Sequence, residues 1–139
     1  MANTINMQDM RYLNLFEKIT RVNTRFYFIY NDTIFFCVPK HLLSKAIGEG
    51  GKNVRLVHSI LGKRIKIIPM PTGIQHITPF IETIVAPVSF KSIEINNNEV
   101  ILSAGGTQNK AMLLGREKRR FSEMQNVIKN FFGKEYRIV

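Results

Sequence analysis

The sequence predicts an α+β fold built as two copies of one small module, and three observations carry that expectation. A nine-residue segment, Ala46-Ile47-Gly48-Glu49-Gly50-Gly51-Lys52-Asn53-Val54, is echoed 67 residues later by Leu113-Leu114-Gly115-Arg116-Glu117-Lys118-Arg119-Arg120-Phe121. Each copy runs from an apolar pair through glycine into a basic, helix-like stretch. The order helix, strand, strand, helix, helix, strand can be read twice along the chain. The apolar positions Val54, Val57, Ile60 and Leu61 recur position for position at Phe121, Met124, Val127 and Ile128. Repetition at a fixed period marks a duplicated structural unit. The turn-rich stretch Met70-Pro71-Thr72-Gly73 is the natural boundary, giving domains at 1–71 and 72–139.

Residues 7–20 place Tyr12, Leu13, Phe16 and Ile19 at helical spacing. Residues 25–30 are rich in aromatic and β-branched side chains, and Asn31-Asp32 separates them from a second such run, Thr33 to Val38. Two strands joined by Asn-Asp read as a hairpin. A short helix follows from Lys40 to Ile47 and stops at Gly48. The next runs from about Gly51 to Leu61 and stops at Gly62. Its apolar residues, Val54, Val57, Ile60 and Leu61, share one face. Residues 64–68 then form a strand.

In the second half, residues 76–85 read as a helix, with Pro79 tolerable in the first turn. Val88 to Ile95 and Glu99 to Leu102 are strands joined by Asn96-Asn97-Asn98. Thr107 to Leu114 is a short helix and Lys118 to Phe132 a longer one, stopped by Gly133. Residues 135–139 are the last strand.

Lys and Arg number 20 against 10 acidic residues, a formal net charge of +10. Such a balance favours polyanionic partners, nucleic acid before an anionic membrane surface. The excess is uneven: net +7 in residues 1–71 and net +3 in residues 72–139. Cys37 is the single cysteine, so no internal disulfide forms and a reducing compartment fits. It lies in an apolar run and reads as a small core residue. No stretch reads as a signal core or a membrane span, so a soluble, cytoplasmic chain with no membrane partner is expected.

The chemistry of catalysis is not visible. His41, His58 and His76 are scattered, and with one cysteine and two aspartates there is no metal-ligand cluster. Paired carboxylates and nucleophile sets are likewise absent. A non-enzymatic chain without cofactor or metal is expected. The aromatics Phe26, Tyr27, Phe28, Tyr30, Phe35 and Phe36 read as core and hairpin packing ahead of base-stacking platforms.

Ile47-Gly48-Glu49-Gly50-Gly51-Lys52-Asn53-Val54-Arg55 resembles the core signature of a KH domain, an intact I-G-x-x-G between two helices. The element order resembles the type II, prokaryotic arrangement. Two such domains in tandem resemble the archaeal NusA-like transcription termination and antitermination factors. The resemblance implies single-stranded RNA binding, a role in transcription elongation or termination, and RNA polymerase as a further partner. A ribosome or ribonucleoprotein assembly factor on the same fold is the alternative reading. A helix-turn-helix binder of duplex DNA fits less well, because strands frame each helix pair. A monomer is the default oligomeric state.

The resemblance places the RNA-binding residues at Lys45, Ile47, Gly48, Glu49, Gly50, Gly51, Lys52 and Arg55 in the first module. In the second it places them at Gly115, Arg116, Lys118 and Arg119. Glycine at 48 and 51 allows a sharp turn and removes the β-carbons that would hold RNA away. Backbone N–H groups at the start of the next helix can face a phosphate. Lys52 and Arg55, one turn apart, can reach neighbouring phosphates, with Lys45 approaching from the preceding helix. Ile47, Val54 and Ile65 or Ile67 are expected to line a groove for the bases, and Glu49 to point to solvent or meet a base amino group. The second turn departs from the pattern, with Lys118 in place of the closing glycine. A side chain there is expected to obstruct a close phosphate approach. Arg116, Lys118, Arg119 and Arg120 also crowd a helix N-terminus against its dipole, at about 0.3–1 kcal/mol each at most.

Overall fold

A computed structural model of the protein describes residues 7–139. The chain forms two compact units that divide between Met70 and Pro71. The first contains helix α1 (Met7–Thr20), strands β1 (Phe26–Tyr30) and β2 (Thr33–Val38), helices α2 (Leu43–Ile47) and α3 (Lys52–Leu61), and strand β3 (Arg64–Pro69). The second repeats the order with α4 (Ile77–Val85), β4 (Ser92–Ile95), β5 (Glu99–Ser103), α5 (Thr107–Leu114), α6 (Arg119–Phe132) and β6 (Glu135–Ile138). The protein is therefore α+β, with a three-stranded sheet in each unit.

The two sheets share one topology. β1 and β2 are antiparallel, and β3 joins β2 in parallel as an edge strand. β4, β5 and β6 repeat this pattern. The hairpin at Asn31-Asp32 forms because both residues accept positive φ, 49° and 58°, the conformation that a two-residue turn between twisted strands requires. Asn96 closes the second hairpin differently. Its side-chain oxygen accepts the N–H groups of Asn98 and Glu99 at 2.9 and 2.8 Å, a local mimic of a backbone turn.

In the first unit α1, α2 and α3 pack over one sheet face. Phe16 of α1 stacks on Phe36 of β2 with ring centroids 4.3 Å apart. Ile34, Val38, Ala46, Val57, Ile65 and Ile67 complete that core, with Val54, Leu61 and Ile47 packed against its margin. Tyr30, Phe35 and Phe36 are buried, as expected for packing aromatics, while Phe26 is half-exposed.

Cys37 is fully buried, and burial pushes its thiol up to about 12. Near neutral pH almost no thiolate exists there, and the thiolate is the reactive form. In the folded protein, iodoacetamide at pH 7.5 is expected to leave Cys37 unmodified over hours. Denaturant is expected to give full labelling within minutes, read by mass spectrometry. Tyr27 is also raised, by burial and by its hydroxyl donating to the Asp9 carboxylate.

Three expectations need correction. The strand expected over 88–95 starts only at Ser92. Val88 N–H closes a turn onto Val85 C=O at 3.0 Å and Pro87 has no N–H, so the segment after α4 turns before it can extend. The 40–47 helix divides into a 3-10 turn, Lys40–Leu42, and α2. Ile60 is 54% exposed although it was placed on the buried face of α3. Only Val57 of that face is fully buried, since a ten-residue helix lying on a three-stranded sheet covers a narrow stripe. In the second unit Met124, Val127 and Ile128 are buried and Phe121 is half-buried.

Candidate nucleic-acid interface

The turn between α2 and α3 is set by glycine stereochemistry. Gly48 (φ 81°, ψ 162°), Gly50 (φ 62°, ψ 18°) and Gly51 (φ 77°, ψ 20°) all take positive φ, which costs an L-residue about 1–2 kcal/mol each. The three serve different ends. A β-carbon on Gly48 would lie 2.9 Å from the Asn53 side chain. A β-carbon on Gly50 would meet nothing within 4 Å, and one on Gly51 only the tip of Arg55 at 3.4 Å. Gly48 therefore permits the fold itself, while Gly50 and Gly51 leave a bare backbone surface facing outward.

Asn53 stitches the turn. Its amide donates to the carbonyls of Lys45 and Ala46 at 3.2 and 3.1 Å, satisfying the end of α2 from the start of α3. Arg55 donates to Gly50 C=O and braces the turn from the helix side. Asn53→Ala is expected to cost about 1 kcal/mol of stability, read as a shift in the urea midpoint at unchanged slope.

The backbone N–H groups of Gly51 and Lys52 donate to Gly48 C=O and Glu49 C=O inside the turn. Those two donors, expected to face a ligand, are thus occupied. Lys45, Glu49 and Lys52 are exposed, and Ile47 is a marginal core residue.

Beside the turn lies an open slot of about 260 Å³ between α3 and the edge strand β3. Val54 and Ile65 give it an apolar floor, Arg55 and Arg64 stand as cations at its rim, and His58 and Thr33 border it. Lys66 also borders it but holds its ammonium 5.8 Å from the centroid of the Phe35 ring. Val54 and Ile65 were expected there. Ile47 and Ile67 do not line the slot, although both pack in the same core as Val54 and Ile65. His58, Arg64, Lys66 and Thr33 were missed. His58 lies one turn beyond Val54 on the same helix, a signal that spacing could have supplied. Thr33 and Arg64 meet only through the parallel pairing of β2 with β3. The His58 ring is anchored through Nδ1 to Lys63 C=O at 2.7 Å.

The second turn keeps the backbone of the first with only one of its three glycines. Gly115 (φ 76°, ψ 174°), Glu117 (φ 55°, ψ 30°) and Lys118 (φ 59°, ψ 28°) reproduce Gly48, Gly50 and Gly51. Lys118 N–H bonds Gly115 C=O as Gly51 N–H bonds Gly48 C=O. Arg120 takes the place of Asn53, donating to Met112 C=O at 3.1 Å. Lys118 therefore adds a side chain to a preserved turn. Arg116, Lys118 and Arg119 are exposed around it. Arg119 also pairs with Glu123 at 3.7 Å.

Among the described residues no group of His, Cys, Asp and Glu could hold a metal ion, and no helix is long and apolar enough to cross a membrane.

These features describe an α+β protein with a glycine turn beside a cationic slot. No protein-family model matches the sequence. Over 89 residues it is 30% identical to a protein described as "Probable transcription termination protein NusA" from Methanococcus vannielii, a match covering 64% of this chain. That match spans half of the length of the relative. In structure the chain is similar to APE1850, with a TM-score of 0.66 and 21% identity over 96% of this chain and 99% of that one. The latter likeness is one of fold.

Proposed function

We propose that this chain is an RNA-binding transcription factor of the NusA-like kind, acting in elongation or termination. In this reading its two units are tandem type II KH domains. It holds single-stranded RNA at the first glycine turn and does no catalysis. The observation that carries the reading is the outward-facing backbone of Gly50 and Gly51, bare of side chains and flanked by Lys45, Lys52 and a cationic slot. A glycine turn of this kind clamps about four nucleotides of backbone. The similarity to a named termination protein supports the same assignment.

The mechanism divides the work by chemistry. With the N–H groups of Gly51 and Lys52 occupied, phosphate neutralisation falls to the Lys45 and Lys52 side chains. The turn supplies close approach, and the slot beside it receives an unstacked base. In the second unit Gly115, Arg116, Lys118 and Arg119 offer charge around an equivalent turn. The protein acts as a monomer, with RNA polymerase as its larger partner.

The test is binding of labelled single-stranded RNA at two salt concentrations, with duplex DNA as competitor. Salt-sensitive RNA binding that duplex DNA does not displace supports the reading. Preferential binding of duplex DNA would overturn it. Affinity capture from cells of the source organism is expected to recover polymerase subunits, and recovery of ribosomal proteins alone would move the role to ribosome assembly.

A further inference from the structure

The positions that floor the slot beside the first turn carry aromatic side chains in the second unit. Phe121 stands third in α6 as Val54 stands third in α3. Tyr136 pairs with Val100 in the register where Ile65 pairs with Ile34. The Phe121 and Tyr136 rings stack with centroids 5.6 Å apart and planes 28° from parallel. Where the first unit has two aliphatic side chains at the floor of an open slot, the second has two aromatic rings packed on one another. Ile65 and Tyr136 are both buried, and Val54 and Phe121 both half-buried.

The rim changes with the floor. Ser122 and Gln125 stand where Arg55 and His58 stand, and Glu99 and Glu135 hold the register positions of Thr33 and Arg64. Arg137, at the position of Lys66, is paired with Glu99 at 3.2 Å, and Glu135 with Lys129 at 2.8 Å. The cationic rim of the first unit is thus a neutralised rim in the second.

We propose that base identity is read by the first unit's slot alone, and that Phe121 and Tyr136 are a built-in plug that makes the second unit indifferent to RNA sequence. The proposal rests on the RNA-binding reading above. Its ligand is one unpaired nucleobase, seated on Val54 and Ile65 and bordered by Arg55, His58 and Arg64. A slot of about 260 Å³ falls just under the usual range for drug-sized ligands, in keeping with a single base rather than a stretch of chain. The second unit then contributes affinity through charge and no specificity.

The experiment is affinity selection from a random single-stranded RNA pool, using the full chain and three variants: Val54→Phe, Phe121→Ala, and Gly50→Asp with Gly51→Asp. The wild type is expected to enrich a motif specified at one base position, within the roughly four nucleotides whose backbone the turn clamps. It should bind that motif about tenfold better than a scrambled control, a difference of about 1.4 kcal/mol. Val54→Phe, which installs the second unit's plug, is expected to bring the ratio within about twofold while salt-sensitive binding persists. Phe121→Ala is expected to leave the motif unchanged.

Two separate motifs, no preference in the wild type, a motif that survives Val54→Phe, or one lost on Phe121→Ala would each overturn the proposal. Should circular dichroism show Val54→Phe unfolded, His58→Gln with Arg64→Glu alters the exposed rim and carries the same test. The glycine variant separates the two readings. If it binds RNA like wild type, the glycine-turn reading falls, and if it loses binding while Val54→Phe keeps the motif, only the slot assignment falls.

Discussion

Replacing Gly50 and Gly51 together by aspartate is expected to weaken single-stranded RNA binding by about 30-fold or more while the protein stays folded. Both positions face outward, with open space over Gly50 and only the Arg55 tip near Gly51. New side chains there meet the ligand and leave the core untouched. Two carboxylates placed against a phosphate backbone at about 4 Å each oppose it by about 1 kcal/mol in fully solvated surroundings and more where water is excluded. A combined loss of about 2 kcal/mol is about 30-fold in Kd. The matching control is Gly50→Asn with Gly51→Asn, which imposes the same positive-φ strain without charge. It is expected to lose part of the affinity by obstructing close approach, and less than the aspartate variant, the difference reporting the charge, measured by fluorescence anisotropy. Equal binding by the aspartate variant and wild type would remove the turn from the mechanism. Gly48 is the wrong position for this test. A side chain there collides with Asn53, so the result would report on folding.

Phe36→Ala is expected to destabilise the protein by about 3–5 kcal/mol, the largest single-residue effect on stability that the first unit offers. Phe36 is fully buried at the centre of β2 and stacks on Phe16, with Tyr27 6.0 Å away, so truncation leaves a cavity bounded by helix and sheet. The wall cannot collapse, because Phe36 pairs in register with Tyr27 on one side and Ile67 on the other. Urea unfolding followed by circular dichroism checks the value. A loss under 1 kcal/mol would mean that the core repacks around the gap. Two units in one chain can unfold separately, so a second transition unaffected by the substitution is expected if the units are independent.

The elements and turns were legible because their causes are local. Gly62 and Gly133 stop α3 and α6 in the left-handed conformation at C′, where glycine carries no steric penalty. Asn31-Asp32 sets the first hairpin by the same stereochemistry. The apolar spacing of α1 identifies Tyr12, Leu13 and Phe16, all buried. Misreadings arose where a local pattern was outvoted. Val88 to Phe90 has strand-like composition, yet the preceding helix end and Pro87 turn it away, and contact with β5 begins only at Lys91, whose N–H bonds Ser103 C=O at 2.8 Å. Ile60 fits the helix face, yet the sheet beneath is too narrow to cover it.

The candidate site was legible in part for the same reason. The glycine turn is a property of adjacent residues and could be read directly. The slot needs Val54 of α3, Ile65 of β3 and Thr33 of β2 together, and only the parallel crossover from β2 to β3 brings them there. The second turn shows the converse. Its missing glycine reads as an obstruction to close phosphate approach, and the structure adds that the conformation is kept. Glu117 and Lys118 hold the left-handed geometry because Gly115, the Arg120 hydrogen bond and the flanking helices fix both ends of the turn. Such strain persists where surrounding structure over-determines it.

By itself the sequence determined the duplicated α+β organisation, the order of the elements and the position of the glycine turn, since these follow from backbone sterics and helical or strand periodicity within a few residues. Only the tertiary structure decided which side chains share the slot, that Asn53 and Arg120 do equivalent work, and that Phe121 and Tyr136 occupy the place left open by Val54 and Ile65. Those outcomes depend on pairing between strands about 30 residues apart in the chain, a contact set by burial of the whole unit's apolar surface and by no local signal.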